Sequence, residues 1–249
     1  MSCCFTSYDV YSSFEARKAK ILSELNTPDE QYEDLSPKGS LDIGIRDLIS
    51  EINAVPQYVT TSSCAGRVAA YLEGTKGAKG GGLWLFTSHD PIEVPTTDGA
   101  VYELLGLSNS DVNAPTVMDE ARFVHLKFEP MILHILASTL PAAQTATSAA
   151  LTAGFRESGI TGNLSQSHNH AASPMVAVRS SGLAFDCVIG YSTPEHDDQK
   201  EGDSEGVTRP RIVPMVSEAY LRTLLSIANQ RFKTNEERRE RFRGTLMKA

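Results

Sequence analysis

The sequence predicts an α+β fold outside the doubly wound class, with a mixed or antiparallel sheet and flanking helices. Two observations lead to this prediction. Apolar residues recur at helical spacing in some segments and alternate or cluster as strands in others. In addition, no G-x-G-x-x-G follows a first strand and no acidic residue ends a second βα unit, so a dinucleotide-binding fold is not indicated.

Each predicted element has a local signal. Spacing of apolar residues by three and four predicts helices, which we place at residues 14–25, 45–52, 101–107, 131–140, 142–153 and 216–232. Runs of β-branched and aromatic residues predict strands, which we place at residues 57–61, 67–72, 83–88, 122–129, 175–179 and 187–191. The strand at 122–129 has the clearest alternation, with Val124, Leu126 and Phe128 on one face.

Composition and charge limit the class of protein. No apolar run approaches the roughly 18 residues that span a membrane, and the N-terminus has no secretory signal pattern. The four cysteines form no metal-like spacing. We therefore expect a reduced, cytoplasmic protein without a metal or a membrane partner. A net charge of −8 does not exclude nucleic acid, because residues 192–208 contain six acids and one lysine.

We expect a single domain over residues 1–249. Two polar segments, 162–172 and 192–208, have compositions that cannot support a packed core and are predicted to be disordered insertions. Residues 233–249 are predicted to form a charged C-terminal tail.

Residues 60–67 and 80–90 have the densest concentration of reactive and polar groups. They contain hydroxyls, a thiol, an arginine, three consecutive glycines, the only tryptophan and a His-Asp pair. Polar residues here follow predicted strands directly, and strand ends are where scaffolds commonly hold functional groups. A similar order of strand, double serine, glycine and strand occurs at residues 178–188. This echo permits two related halves around one cleft.

The motifs resemble those of the tRNA wybutosine-synthesizing protein 3 family from the first helix to residue 232. The matching segments occur in the family's order and are SPKGSLD (36–42), TSSCAGR (61–67), GGGLWLFTSHD (80–90), KFEP (127–130), GFRESGI (154–160) and RSSG (179–182). The family commonly has a serine where this chain has Ala65 and a lysine where it has Leu83.

The resemblance implies an S-adenosylmethionine-dependent methyltransferase. Its substrate would be the tricyclic wyosine-type base next to the anticodon of phenylalanine tRNA, methylated at N4 during wybutosine biosynthesis. The implied partners are the anticodon loop of that tRNA and other enzymes of the pathway. The alternatives are a non-catalytic tRNA-binding module, and a hydrolase that would use Ser63 or Ser88 with His89 and Asp90 but lacks the G-x-S-x-G elbow.

The candidate site residues fall into three groups. Candidates for the base that removes a proton from the ring nitrogen are Asp42, His89 and Asp90. Candidates for cofactor binding are Ser62, Ser63, Cys64, Gly66, Ser180, Ser181 and Gly182. Candidates for RNA binding are Lys38, Arg67, Trp84, Arg156 and Arg179.

Each group also has a structural alternative. The serines can be ordinary turn residues, and Asp90 before Pro91 can simply cap a turn. Trp84 can pack in a core, and Arg156 can pair with Glu157. If the functional interpretation holds, residues 36–42, 62–67, 88–90 and 179–182 should line one cleft.

Overall fold

The computed structural model describes residues 7–25, 42–74, 81–115, 121–161, 173–192, 201–202 and 208–249. Its helices are α1 (Ser7–Leu25), α2 (Arg46–Ala54), α3 (Ala100–Leu104), α4 (Leu140–Ala153) and α5 (Glu218–Leu246), with a 3₁₀ turn at Ile43–Ile45 before α2. Its strands are β1 (Tyr58–Leu72), β2 (Leu83–Ser88), β3 (Arg122–Ala137), β4 (Gly159–Thr161), β5 (Met175–Val178), β6 (Phe185–Ser192), β7 (Glu201–Gly202), β8 (Thr208–Arg209) and β9 (Val213–Pro214). None of the described helices combines the length and apolar character needed to cross a membrane.

The chain divides into two compact units that are not continuous in sequence. Unit 1 contains Met1–Gly66, Pro130–Gly182 and Asn235–Ala249, and unit 2 contains Arg67–Glu129 and Leu183–Thr234. The chain passes from one unit to the other four times: within β1, within β3, between β5 and β6, and within α5. The single domain over residues 1–249 and the relatedness of two halves stay predictions.

Unit 1 is built on a sheet in the order β1-β3-β5-β4, in which β3 and β5 pair antiparallel with Leu133 opposite Val178. One face packs against α2, α4 and the end of α5, where Phe242 is fully buried. Alanines at α4 positions facing the sheet let this helix approach the strands closely. The opposite face receives Phe14 of α1, which packs on Val59 and Leu136.

Unit 2 has the strand order β2-β1-β3-β6-β9, in which the pairs β1–β2, β3–β6 and β6–β9 run antiparallel. Its core joins Val124, Leu126 and Phe128 to α3 and to the first half of α5. Apolar residues of α5 recur at 221, 224, 225, 228 and 232, which is the spacing of one helix face. The alternation predicted for residues 122–129 is therefore confirmed, as is the α+β class with an antiparallel sheet.

Gly190 of β6 fills a place where no side chain fits. A Cβ built on it would lie 2.8 Å from the backbone oxygen of Val213 and 2.9 Å from Cδ2 of Leu107. We expect Gly190→Ala to lower the free energy of unfolding by about 1–3 kcal/mol, because a packed backbone must shift to admit the methyl group. Urea denaturation measures this loss. Gly159→Ala in β4 is the matched control, since its Cβ would meet none of the described residues within 4 Å. Equal midpoints for the two variants would contradict the prediction.

Three element predictions are wrong. Residues 131–140, predicted as a helix, continue β3 to Ala137, because Met131, Leu133 and Ile135 are buried at every second position. The two strands predicted at 57–61 and 67–72 are a single strand, β1. The helix predicted to end at residue 232 continues to Leu246 and contributes to the core of unit 1, so residues 233–246 are helical rather than a tail.

The two predicted insertions lie largely outside the described residues. Of the acidic segment, the structure describes Ser192 at the end of β6 and a short pairing in which Glu201 is opposite Arg209. Lys38 also lies outside the described residues. The disorder of residues 162–172 and 192–208 stays a prediction.

Candidate functional site

The segment 62–67 lies inside β1 and is not the turn that the sequence predicted. Gly66 has a positive φ of 110°, which a residue with a side chain rarely adopts, and β1 continues through it to Leu72. Ser62 is exposed, whereas Ser63 and Cys64 are half-buried. The echo with residues 178–188 is consequently absent from the backbone, because Ser180 and Ser181 lie in a loop between β5 and β6.

Two side chains, rather than a neighbouring strand, hydrogen-bond to the backbone of Ala65. The Ala65 N–H donates to Oδ2 of Asp42 at 2.8 Å, and the Ala65 carbonyl accepts from Nδ2 of Asn235 at 2.7 Å. Oδ1 of Asn235 also accepts from the Met131 N–H at 2.9 Å. Asp42 is buried, and one of its carboxylate oxygens lies within 4.8 Å of the Cys64 sulfur. Asp42 therefore holds residues 62–67 of β1 in place, and it is also a candidate base.

Ser62 is paired with a histidine that the sequence did not single out. Its hydroxyl lies 2.8 Å from Nδ1 of His134, on the neighbouring strand β3. The pair is on the exposed side of unit 1. The pairing with His134 was not predicted from the sequence, because residues 131–140 were assigned to a helix rather than to a strand.

Glu157 holds residues 180–182, which we call the serine loop. The Glu157 carboxylate accepts from the Ser181 N–H at 3.0 Å and from the Ser181 hydroxyl at 2.8 Å. These hydrogen bonds, the Ser181 hydroxyl first, lower the pKa of Glu157. In the same loop, the buried Ser180 hydroxyl accepts a hydrogen bond from Nη1 of Arg238 at 3.0 Å. The sequence missed both Glu157 and Arg238, although Glu157 lies in the GFRESG motif.

The two arginines near this loop differ in their contacts. Nε of Arg179 donates to the Glu157 carbonyl at 3.2 Å, and the backbone N–H of Arg179 donates to the Ser158 hydroxyl at 3.1 Å. Arg156 is exposed. The alternative in which Arg156 pairs with Glu157 is not what the structure shows, because the Glu157 carboxylate faces the serine loop.

In unit 2, Arg67 forms a stacked arrangement with aromatic rings. Its guanidinium carbon lies 4.8 Å from the centroid of the Trp84 ring, and its Nε donates to Oε2 of Glu129 at 2.7 Å. Tyr71 also packs against Trp84, with the centroids of the two rings 4.8 Å apart. Trp84 is 40% exposed, so it is not a core residue. A cation over an exposed indole is a surface on which a planar group can stack.

His89 and Asp90 follow β2 in the same unit. His89 is half-buried and Asp90 is exposed. The Ser88 hydroxyl donates to the Asp90 carbonyl at 2.7 Å and accepts from the Asp90 N–H at 3.2 Å, so Ser88 makes the turn that the alternative assigned to Asp90. Asn229 then fixes the following chain through both polar groups of Ile92, each at 2.8 Å.

A second polar cluster in unit 2 is satisfied internally. His125 contacts Asp186 at 2.7 Å and Glu73 at 3.0 Å, and Lys127 contacts Asp186 at 2.9 Å. Burial opposes ionisation of Asp186, but the hydrogen bonds from Lys127 and His125 prevail and lower its pKa. Because each of its groups already has a hydrogen-bond or ion-pair partner within the cluster, we assign this cluster to the structure of the sheet.

Within each unit the structure brings several predicted residues together. In unit 1 it gathers Asp42, Cys64 and Gly66 on or beside one strand and Ser180, Ser181 and Arg179 in one loop. In unit 2 it gathers Arg67 and Trp84. The single cleft lined by both sets stays a prediction.

The fold and these sites define an α+β protein whose candidate polar groups lie within strand β1 and in the loop between β5 and β6. The sequence has no glycine-rich turn of the dinucleotide-binding kind. The profile of the family described as methyltransferase TYW3 matches residues 16–248. This chain therefore belongs to the TYW3 methyltransferase family. The matched range includes the end of α5, which the resemblance by motifs had left out.

Individual relatives agree with this assignment. The chain is 38% identical over 183 residues to tRNA wybutosine-synthesizing protein 3 of Schizosaccharomyces pombe, covering 73% of this chain and 70% of that protein. It is 33% identical over 240 residues to tRNA wybutosine-synthesizing protein 2/3/4 of Arabidopsis thaliana, covering 94% of this chain and 21% of that protein. The structure of the PH1069 protein from Pyrococcus horikoshii has the same fold, with a TM-score of 0.66 and 22% identity over 96% of this chain and 98% of that one.

Proposed function

We propose that this methyltransferase transfers a methyl group from S-adenosylmethionine to N4 of the tricyclic wyosine-type base next to the anticodon of phenylalanine tRNA. The observation that carries the proposal is the family match over residues 16–248, which includes every described site segment. The relatives named for wybutosine synthesis on tRNA support the substrate. A non-catalytic tRNA-binding module is not favoured, because the family is described as a methyltransferase.

The serine loop has features that suit such a cofactor. Ser180 is buried, while Ser181 and Gly182 are exposed. A Cβ at Gly182 would have only the Ser180 hydroxyl within 4 Å among the described residues, at 3.8 Å, so a ligand can approach the backbone there. Ser62, Ser63, Cys64 and Gly66 on β1 are the other proposed cofactor contacts.

The Arg67–Trp84 stack is our proposed contact for the RNA. Modified bases that are splayed out of a loop are recognised by stacking on aromatic rings and on guanidinium planes. Trp84 is partly exposed, and Arg67 over its ring has the positive charge that attracts phosphate or a polar base edge. Lys38, Arg156 and Arg179 are proposed as further contacts with the tRNA.

The chemistry demands alignment and removal of one proton. S-adenosylmethionine supplies a methyl group that its sulfonium already activates. The protein then has to align the ring nitrogen and exclude water. Asp42, His89 and Asp90 are the proposed acceptors for the proton of that nitrogen. Histidine is the side chain that most readily exchanges a proton near neutral pH, and the Asp42 carboxylate already accepts the Ala65 N–H.

Partners from the same pathway are part of the proposal. The Arabidopsis relative carries the combined name 2/3/4, and the present chain matches a fifth of its length. An arrangement in which successive enzymes are linked would pass the modified tRNA directly between sites. We propose that this chain contacts other wybutosine-pathway enzymes while they bind the same anticodon loop.

Calorimetry with S-adenosylmethionine, followed by a methyl-transfer assay, tests the function. We expect saturable binding heat, and a gain of one methyl group on phenylalanine tRNA that carries the demethylated tricyclic base, read by mass spectrometry of the nucleosides. The same tRNA with unmodified guanosine at that position is the control and should gain none. Binding of the tRNA without any binding of S-adenosylmethionine would overturn the proposal in favour of the non-catalytic module.

A further inference from the structure

The hydroxyl groups of the serine loop have a defined hydrogen-bond direction. The Ser181 hydroxyl donates its only hydrogen to the Glu157 carboxylate at 2.8 Å. The Ser180 hydroxyl accepts from Arg238 at 3.0 Å, and it too hydrogen-bonds to Glu157. A hydroxyl has one hydrogen and two lone pairs. The Ser181 oxygen therefore has only lone pairs left to offer a ligand, and it would act as a hydrogen-bond acceptor.

Glu157 adds a negative charge at the same place. Its carboxylate is exposed and receives hydrogen bonds from the Ser181 N–H, the Ser181 hydroxyl and the Ser180 hydroxyl. The backbone N–H of Glu157 itself is a fourth donor to the carboxylate. All four donors are neutral, so they satisfy the carboxylate oxygens without cancelling the negative charge. Arg179 lies nearby, but its Nε donates to the Glu157 carbonyl rather than to the carboxylate.

An acceptor hydroxyl beside an ionised carboxylate suits a cation with several N–H groups. The amino-acid end of S-adenosylmethionine ends in an ammonium and a carboxylate, and of these two groups the ammonium is the hydrogen-bond donor. Charge-assisted hydrogen bonds are also roughly twice as strong as neutral ones. A ligand carboxylate at the same position would meet the negative charge of Glu157.

We infer that Glu157, together with the Ser181 hydroxyl, binds the ammonium group of the cofactor's amino-acid end. Arg238 orients the Ser180 hydroxyl toward Glu157 and is a positioning residue. The inference rests on the proposed function, because it takes S-adenosylmethionine as the ligand of the serine loop.

Three ligands separate the ammonium contact from a general effect on the loop. S-adenosylhomocysteine has both the ammonium and the carboxylate, decarboxylated S-adenosylmethionine keeps the amine alone, and 5′-methylthioadenosine has neither. We expect Glu157→Gln, which removes the charge and keeps the shape, to weaken binding of the first two by roughly tenfold or more in calorimetry. Binding of 5′-methylthioadenosine should stay at the wild-type value.

Glu51→Gln is the matched control, because Glu51 is a carboxylate of unit 1 whose partner is Arg243. It should leave the affinity for each ligand unchanged. Equal weakening of all three ligands by Glu157→Gln would overturn the inference, since Glu157 would then act only by holding the loop. Tighter binding of S-adenosylhomocysteine, or unchanged binding, would overturn it as well. If the wild-type protein binds none of the ligands, the proposed function itself fails.

Discussion

Arg67→Ala is expected to lower methyl transfer by about a hundredfold while the protein stays folded, since a misplaced substrate can cost that much in rate. The variant removes the charge stacked on Trp84 and leaves the indole without its cation. The ion pair with Glu129 is half-exposed on the glutamate side, so its loss should affect the free energy of unfolding little. Activity and the thermal midpoint, measured on the same preparation, check both parts.

Two further measurements assign the role of Arg67. If it contacts phosphate, Arg67→Ala should reduce the slope of log RNA affinity against log salt by about 0.7–0.9. If it contacts the cofactor, that slope should stay the same and S-adenosylmethionine binding should weaken. Glu129→Gln is the control, because it removes the ion pair but keeps the guanidinium. A loss of activity in Glu129→Gln as large as that in Arg67→Ala would show that the ion pair, rather than the cation, matters.

Asn235→Ala is expected to lower the free energy of unfolding by about 2–5 kcal/mol, because it leaves two buried backbone groups without partners. Asn235 is 2% exposed and satisfies both the Ala65 carbonyl and the Met131 N–H. Urea denaturation gives the size of the effect. Asn229→Ala is the matched control on the same helix, since Asn229 makes the same paired contact with Ile92 but is only half-buried. An equal or larger loss in Asn229→Ala would contradict this account.

Asn235→Asp separates the lost donor from the lost volume. An ionised carboxylate accepts from Met131 but has no hydrogen for the Ala65 carbonyl, so the folded state should raise the pKa of the new Asp side chain. Relative to wild type, this variant should lose stability as the pH rises above about 4, the usual pKa of an aspartate, and recover it in acid. A stability difference from wild type that does not change with pH would contradict the proposed hydrogen bond.

The sequence predicted those elements whose local signal is clear. Strand β2 was predicted with its observed limits, and the alternation of Val124, Leu126 and Phe128 identified the buried face of β3. The second half of β3 was mistaken for a helix because both of its faces carry large apolar residues. Leu133 and Ile135 pack in the main core of unit 1, while Leu136 packs against Phe14. A continuous apolar run of this kind hides the two-residue period.

The site was predicted by residue type better than by arrangement. Arg67 and Trp84 were both identified, but no spacing could show that the guanidinium lies over the ring. Residues 62–67 were interpreted as a turn because small polar residues favour turns. The strand continues there because Asp42 and Asn235, 23 and 170 positions away, supply the missing hydrogen bonds. Such distant compensation leaves no local signal.

The end of α5 gave a weak signal for the same reason. From residue 233 onward its buried positions are few, chiefly Asn235, Phe242 and Leu246, and they are surrounded by charged residues. Several of those charges hold the helix to unit 1, as Arg243 does with Glu51 and Arg241 with the Ala153 carbonyl. A composition that suggested a solvated segment therefore belongs to a packed one.

The position of Phe242 in the chain affects how the protein can be synthesised. The core of unit 1 combines α2, residues 46–54, with Phe242 and Leu246. A ribosome extends the chain by about 5–20 residues each second, and nascent segments generally fold as their partners emerge. Helix α2 must therefore wait until roughly 190 further residues have been translated before its last packing partner exists. During that interval its apolar face is open to chaperones, and a premature stop codon after residue 232 would leave this core permanently incomplete.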